Sequence, residues 1–242
     1  MLLTSGSLGP ARFGFTDRWG GASTGPYAEL NLAGHVGDDP DAVERNRAAL
    51  LAALPGARSL ALMDQVHGST VAVVGRGGSA EPPKADALIT AEPGVALVVL
   101  SADCVPVLLA GASGGPVAAV HAGRRGVEGG AVTATLAVLE QHGVRRGTVA
   151  AVIGPAVCGR CYEVPTRMRT AMATAWPGAA STTRAGTPAL DLPAAVEAQL
   201  REEGVGNVTR LAICTVESPG LFSHRRDGVT GRIAGVVWLP DD

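Results

Sequence analysis

Lysine is almost missing from this chain: Lys84 is the only one in 242 residues, and aromatic side chains make up 3%. Nucleic-acid surfaces combine clustered basic residues with aromatics on which bases stack. Both shortages, with a net charge of −2, argue against such a partner. No apolar run approaches the roughly 18 residues of a membrane span. The start, Met1 to Gly6, has neither the basic opening nor the apolar core of a secretory signal. Four cysteines do not make a disulfide framework in a chain this long, so a reducing, cytoplasmic location is the expectation. Histidine is also scarce, with five residues.

The chain is instead rich in small apolar residues, with 46% hydrophobic content. A domain of this length buries roughly 70–75% of its unfolded surface, so a core of Ala, Val and Leu can form without disulfide or structural metal. No linker, repeat or low-complexity segment divides it, and one domain over residues 1–242 is expected.

Residues 12–37 carry turn chemistry between short strands. Asp38-Asp39-Pro40 opens a helix with Val43, Arg47, Leu50 and Leu51 along one side. Strands are expected at Ser59 to Leu62, Thr70 to Val74, Val105 to Ala110, Val117 to Val120, Val149 to Ile153 and Val208 to Ile213. Ala85 to Thr90 and Val95 to Leu100 read as a strand pair. Phe222 to Arg225 and Ile233 to Leu239 read as hairpin arms joined near Asp227-Gly228. Helices are expected from Gly126 to His142, ended by Gly143, from Arg167 to Trp176, and from Leu192 to Glu203 after Asp191. Without strict βαβ alternation, a mixed-sheet α/β or α+β arrangement fits best.

Three short motifs carry the chemistry: Asp64-Gln65-Val66-His67-Gly68, Ser101-Ala102-Asp103-Cys104 and His121-Ala122-Gly123-Arg124-Arg125-Gly126. Each lies beside a strand-like run. Two imidazoles and a thiolate suit zinc, with copper as the other ion, and three protein ligands leave a position open for water or substrate. The separations of 37 and 17 residues exceed local zinc-motif spacings, so only folding can unite the three. Cys158-Gly159-Arg160-Cys161 has the spacing of a redox or zinc motif but no second pair in sequence; Cys161 is read as lining the pocket and Cys158 as incidental.

Taken in order, several stretches resemble the YfiH family of laccase-domain proteins. They are Gly20-Gly21-Ala22-Ser23, Gly25-Pro26-Tyr27, Leu30-Asn31-Leu32, His35-Val36-Gly37-Asp38-Asp39-Pro40, Asn46-Arg47 and Gln65-Val66-His67-Gly68. Asp86-Ala87-Leu88-Ile89-Thr90, Ala102-Asp103-Cys104-Val105-Pro106, His121-Ala122-Gly123 and Ile153-Gly154-Pro155 follow. Cys161-Tyr162-Glu163-Val164, Arg225-Arg226-Asp227-Gly228 and Thr230-Gly231-Arg232 complete the set. The resemblance covers nearly the whole chain, with two departures: Arg124 stands where the family has tryptophan, and His224 where it has tyrosine.

The resemblance implies a four-layer α-β-β-α sandwich with mixed sheets and one zinc-type metal on His67, Cys104 and His121. It also implies purine nucleoside phosphorylase activity on adenosine, inosine and 5′-methylthioadenosine, with adenosine deaminase activity alongside. The family's older copper-dependent polyphenol oxidation label sits badly with only five histidines. For deamination, Asp103 is the candidate proton carrier, with a turn carboxylate as its other reading. For phosphorolysis, Arg47, Arg125 and Arg225 or Arg226 are candidates to cradle phosphate, and Gln65 to contact substrate. Two alternatives stay open. One is a Cys-His hydrolase with Cys104 as nucleophile and His121 as base, editing cell-wall peptide precursors; the other is a binding protein with a structural zinc.

Overall fold

The runs Val95–Ser101, Val105–Gly111, Val117–Ala122 and Val149–Ile153 are buried at every position, so each needs cover on both faces. The computed structural model, which describes residues 1–76 and 81–241, supplies it with two sheets packed face to face. The strands are β1 (Leu2–Leu8), β2 (Ala11–Thr16), β3 (Ser59–Ala61), β4 (Val71–Val73), β5 (Ala87–Thr90), β6 (Val95–Ser101) and β7 (Val105–Gly111). They continue with β8 (Val117–Ala122), β9 (Val149–Ile153), β10 (Ala180–Thr182), β11 (Pro188–Leu190), β12 (Asn207–Arg210) and β13 (Ile233–Trp238). The helices are α1 (Pro40–Ala52), α2 (Arg124–Glu128), α3 (Ala131–Gln141), α4 (Thr166–Ala175), α5 (Leu192–Glu202) and α6 (His224–Asp227).

One sheet runs β1-β2-β13-β6-β3 and the other β12-β9-β7-β8-β5-β4; β10 and β11 form a separate ribbon. Both large sheets are mixed, with β3–β6, β4–β5 and β12–β9 parallel and the other pairs antiparallel. The two-residue period assigns each side chain to a layer. Leu97 and Val99 meet Leu88, Leu108 and Val152 between the sheets. On the outer face of the first sheet, Val98, Leu100 and Val236 pack against Leu50 of α1. On the outer face of the second, Val107, Leu109 and Val120 pack against Leu136 and Leu139 of α3 and Val196 of α5. The order is helix, sheet, sheet, helix, as the resemblance implies. Among the described residues, no helix is long and apolar enough to cross a membrane.

Local chemistry sets the helix ends. The Asp39 side chain accepts from the Asp41 amide at the start of α1, and Asp191 from the Ala194 amide at the start of α5. The single helix expected over 126–142 is two, because Gly130 takes a left-handed φ of 72° between α2 and α3. Gly143, at φ 86°, stops α3 as expected.

Two expected pairings are corrected. β5 and β6 are not partners: β5 pairs with β4 and β8, while β6 pairs with β3 and β13 in the other sheet. Alternation marks a strand but not its neighbour. The hairpin near Asp227-Gly228 is absent: Ser223 caps α6 by accepting from the Arg226 amide, and β13 inserts between β2 and β6. Residues 12–37 hold a single strand, nearly all of β2, followed by two 3-10 turns at Gly25–Tyr27 and Gly34–Val36. The ribbon β10–β11 and the polar edge strand β1 lay outside the sequence expectations.

The inter-sheet packing has a sharp test at Gly154, where an added Cβ would overlap the fully buried Phe15 ring. Gly154→Ala is expected to cost about 1–3 kcal/mol by overpacking. Thermal unfolding should register it as a Tm loss of about 2–4 °C per kcal/mol. An unchanged Tm would mean that Phe15 has room to move.

Candidate metal centre

Cys104 lies in the turn where the chain leaves β6 in one sheet and enters β7 in the other. His121 is on β8, opposite Pro106 of β7, which brings its ring beside that turn. His67 comes from the β3–β4 loop. The Cys104 Sγ and His67 Nε2 are 4.0 Å apart, and the two imidazole rings meet edge to face with centroids 4.7 Å apart. One donor atom from each residue lies within 4.8 Å of the others. Folding thus unites the three residues that sequence spacing leaves far apart. Gly123 lets the backbone pass closely, since a Cβ there would stand 3.0 Å from the His67 ring and 3.1 Å from the Cys104 sulfur.

The residue that organises this centre is Asp86, which the sequence reading noted only within a family stretch. It is fully buried just before β5. Its Oδ1 sits 2.8 Å from His121 Nδ1 and accepts the His67 amide at 2.9 Å, while Oδ2 accepts the Gly68 amide at 2.6 Å. These contacts hold His67 in its left-handed backbone conformation, φ 60°. They also fix the His121 ring so that Nδ1 serves the carboxylate and Nε2 remains for a ligand. A carboxylate isolated in an apolar run was the only signal for it.

Charge follows from the same contacts. Burial pushes the Cys104 thiol up, but hydrogen bonds and attraction from His121 and His67 outweigh it and bring it down to about 6. Burial alone would lower His121; Asp86 and Cys104 reverse this and raise it to about 9. Burial likewise pushes Asp86 up, and His121 with the Gly68 and His67 amides brings it below the ordinary carboxylate range. Between these limits the metal-free centre is a thiolate beside an imidazolium. In metal-stripped protein, iodoacetamide labelling of Cys104, mapped by peptide mass spectrometry, should therefore be half-maximal near pH 6 rather than the ~8.5 of an ordinary cysteine. A midpoint at 8 or above would rule out the ion pair.

All three donors line one cleft, and His67 and Cys104 also line a second. The first, of about 380 Å³, is lined by His35, Gln65, His67, Cys104, Tyr162, His224, Arg225 and Arg232, among others. The other, of about 400 Å³, is lined by Val66, His67, Cys104, Arg124, Arg125 and Tyr162. His35, Tyr162 and Arg232 enter the sequence reading only inside family stretches, and His224 only as a departure from the family pattern. Burial and the nearby Arg232 keep the His35 imidazole below its ordinary value.

The other expected site residues divide. Arg225 lines the first cleft, its guanidinium 5.0 Å from the Tyr162 ring centre, and Arg125 lines the second. Arg226 points elsewhere: it donates to the carbonyls of Thr215, Val216, Ser218 and Leu221 and pairs with Asp227, so it clamps a loop. Arg47 donates to the Leu32 carbonyl and lines neither cleft. Gln65 borders the first cleft, but its amide is engaged by both Leu100 backbone groups. Asp103, at φ 101°, accepts from Thr215 Oγ1, Ser223 Oγ and the Arg225 amide, the pattern of its turn-carboxylate reading. Cys161 lines neither cleft at the centre and instead meets Glu217.

Two nitrogens and a sulfur at this spacing, with one imidazole oriented by a buried carboxylate, fit a zinc-type ion and also suit copper. Comparison with known proteins agrees with the fold. The family described as "Multi-copper polyphenol oxidoreductase laccase" matches residues 12–240. A purine nucleoside phosphorylase of Streptomyces coelicolor is 53% identical over 242 residues, 99% of this chain and 100% of the relative. One of Mycobacterium tuberculosis is 49% identical over 226 residues, 93% of this chain and 90% of the relative. Among solved structures, a Neisseria meningitidis protein superposes with a TM-score of 0.87 at 37% identity, covering 98% of both chains. Bacillus licheniformis YfiH gives 0.88 at 28% identity, covering 95% of this chain and 92% of the other. Matched along nearly its whole length in sequence and in fold, this chain belongs to the laccase-like YfiH family.

Proposed function

We propose that this chain is a zinc-dependent purine nucleoside phosphorylase acting on adenosine, inosine and 5′-methylthioadenosine, and that it also deaminates adenosine. The observation that carries this reading is a metal-donor triad and a pair of arginines lining one cleft, in a chain whose relatives are named purine nucleoside phosphorylases. The cleft volume of about 380 Å³ falls within the range of small-molecule sites.

In phosphorolysis a phosphate oxygen bonds to C1′ of the ribose as the bond from C1′ to the purine breaks. Arg225 and Arg232 line the cleft; Arg232 Nη1 is held by the Thr230 and Gly231 carbonyls, so Arg225 carries the planar donor group that phosphate oxygens match. The backbone amide of Arg225 is tied to Asp103, the neighbour of Cys104, so one carboxylate fixes the anion-binding residue relative to the donor triad. Asp103 is accordingly a positioning residue. Tyr162 borders both clefts and keeps the Arg225 guanidinium over its ring. His67, Cys104 and His121 would hold a zinc-type ion, which would supply Lewis acidity for deamination, in which water adds at the purine C6 and ammonia leaves. The hydrolase alternative gains no separate support from the thiolate–imidazolium pair, because a deprotonated sulfur is equally what a metal ligand needs.

Incubation with adenosine, with and without phosphate, tests the proposal. Adenine formed only with phosphate indicates phosphorolysis, inosine indicates deamination, and neither product rejects the reading. Arg225→Ala should lower kcat/KM for phosphate about 10–100-fold, chiefly through KM, as expected for a lost charged hydrogen bond of about 1.5–3 kcal/mol.

A further inference from the structure

The loop after β9 and the loop after β12 run side by side as an extension of the parallel β9–β12 pair. Ala156 and Cys214 form an isolated parallel bridge, and the Thr215 amide donates to the Ala156 carbonyl. This brings Cys158-x-x-Cys161 against Cys214-x-x-Glu217. The second pair that the sequence lacks is thus supplied by folding, with a carboxylate in place of its second cysteine. One donor atom from each of the four residues lies within 4.8 Å of all the others. A tetrahedral zinc with bonds of about 2.3 Å needs sulfur–sulfur edges of about 3.8 Å, so small side-chain movements close the shell.

We propose that Cys158, Cys161, Cys214 and Glu217 form a second, structural zinc site, distinct from the His67–Cys104–His121 centre and independent of the reaction assigned to it. The surroundings are those of metal thiolates. Cys214 Sγ accepts the Cys158 backbone amide at 3.4 Å, and an amide-to-sulfur bond of this kind stabilises a coordinating thiolate. Three thiolates and a carboxylate around a divalent ion leave two negative charges in excess. Arg184, ion-paired with Glu217, and Arg160, close enough to lower the Glu217 carboxyl, offset them. With no ion between them the neighbouring thiols oppose one another's ionisation, and Cys161 and Cys214 are pushed up by burial and by their neighbours. A closed four-ligand shell is the structural rather than the catalytic pattern.

The site's position gives it a role. Cys161 precedes Tyr162 of the substrate cleft, and Cys214 precedes Thr215, which bonds Asp103. An ion here staples together the two loops that shape one wall of the first centre.

Zinc per chain, measured by mass spectrometry after dialysis against zinc under reducing conditions, tests this. The wild-type protein should hold two equivalents, Cys104→Ala one, and Cys158→Ser/Cys161→Ser one. If the double variant fails to fold, Glu217→Gln serves, with faster zinc loss to a chelator. Cobalt-substituted wild-type protein gives a second readout. Its thiolate charge-transfer band should keep about three quarters of its intensity in Cys104→Ala, because three of the four cysteines lie in the second cluster. One equivalent in the wild type that Cys104→Ala abolishes would overturn the proposal. So would two fewer titratable thiols than the sequence contains in the denatured protein, which would mean a disulfide.

Discussion

Alanine in place of His67 or Cys104 should give a folded chain that has lost one zinc equivalent and about a thousandfold in the rate of adenosine deamination. The metal as Lewis acid contributes several kcal/mol to the transition state, and each 1.36 kcal/mol is a factor of ten. Folding should survive because the His67 side chain is exposed and its loop is held through the backbone by Asp86. Metal-free His67→Ala and the metal-free parent should therefore melt within about 0.5 kcal/mol of each other, whereas Cys104→Ala also removes the thiolate beside His121 and should melt lower. The comparison has to be made without metal, since an ion bound only to the native state raises Tm by mass action. A parent chain that itself unfolds when stripped of metal would instead support a purely structural metal.

The second large effect belongs to Asp86→Ala. Three donors lose their acceptor at once: the His121 ring and the His67 and Gly68 amides. Breaking a buried, hydrogen-bonded charge pair costs about 3–5 kcal/mol. Loss of a carboxylate that orients a metal-bound histidine lowers metal affinity or activity about 10–100-fold. Calorimetry and zinc retention should thus both change, unlike in His67→Ala, where stability stays. Asp86→Asn separates the two effects. It keeps the shape and one acceptor oxygen, so it should recover much of the stability, while its amide nitrogen disturbs the His121 tautomer. Full zinc affinity in Asp86→Ala would show that His121 needs no carboxylate to orient it.

The sequence made the ligand triad legible because His67, Cys104 and His121 each interrupt an apolar run with glycine or an acid beside them. Asp86 carried no such flag: alone between Ala85 and Ala87, it reads like a strand-end turn residue. Arg225 and Arg226 are adjacent and chemically alike, and only the carbonyls around Arg226 show which one is a clamp. Strands with continuous burial were visible, whereas their partners were not. β5 and β6 are five residues apart in sequence yet lie in opposite sheets, and that choice is made by nonlocal packing. Likewise Cys158 reads as incidental and Cys161 as a pocket residue, since Cys214-x-x-Glu217 is not a pattern that announces the second half of a ligand set.

Cys104 stands on the short crossing from one sheet to the other. An ion at that junction cannot template the fold as it does in small zinc fingers, because its donors converge only after the two halves have already come together. Under the proposed metal site, capture of the ion is the closing event of maturation, and the chain completes its architecture before any ion is bound.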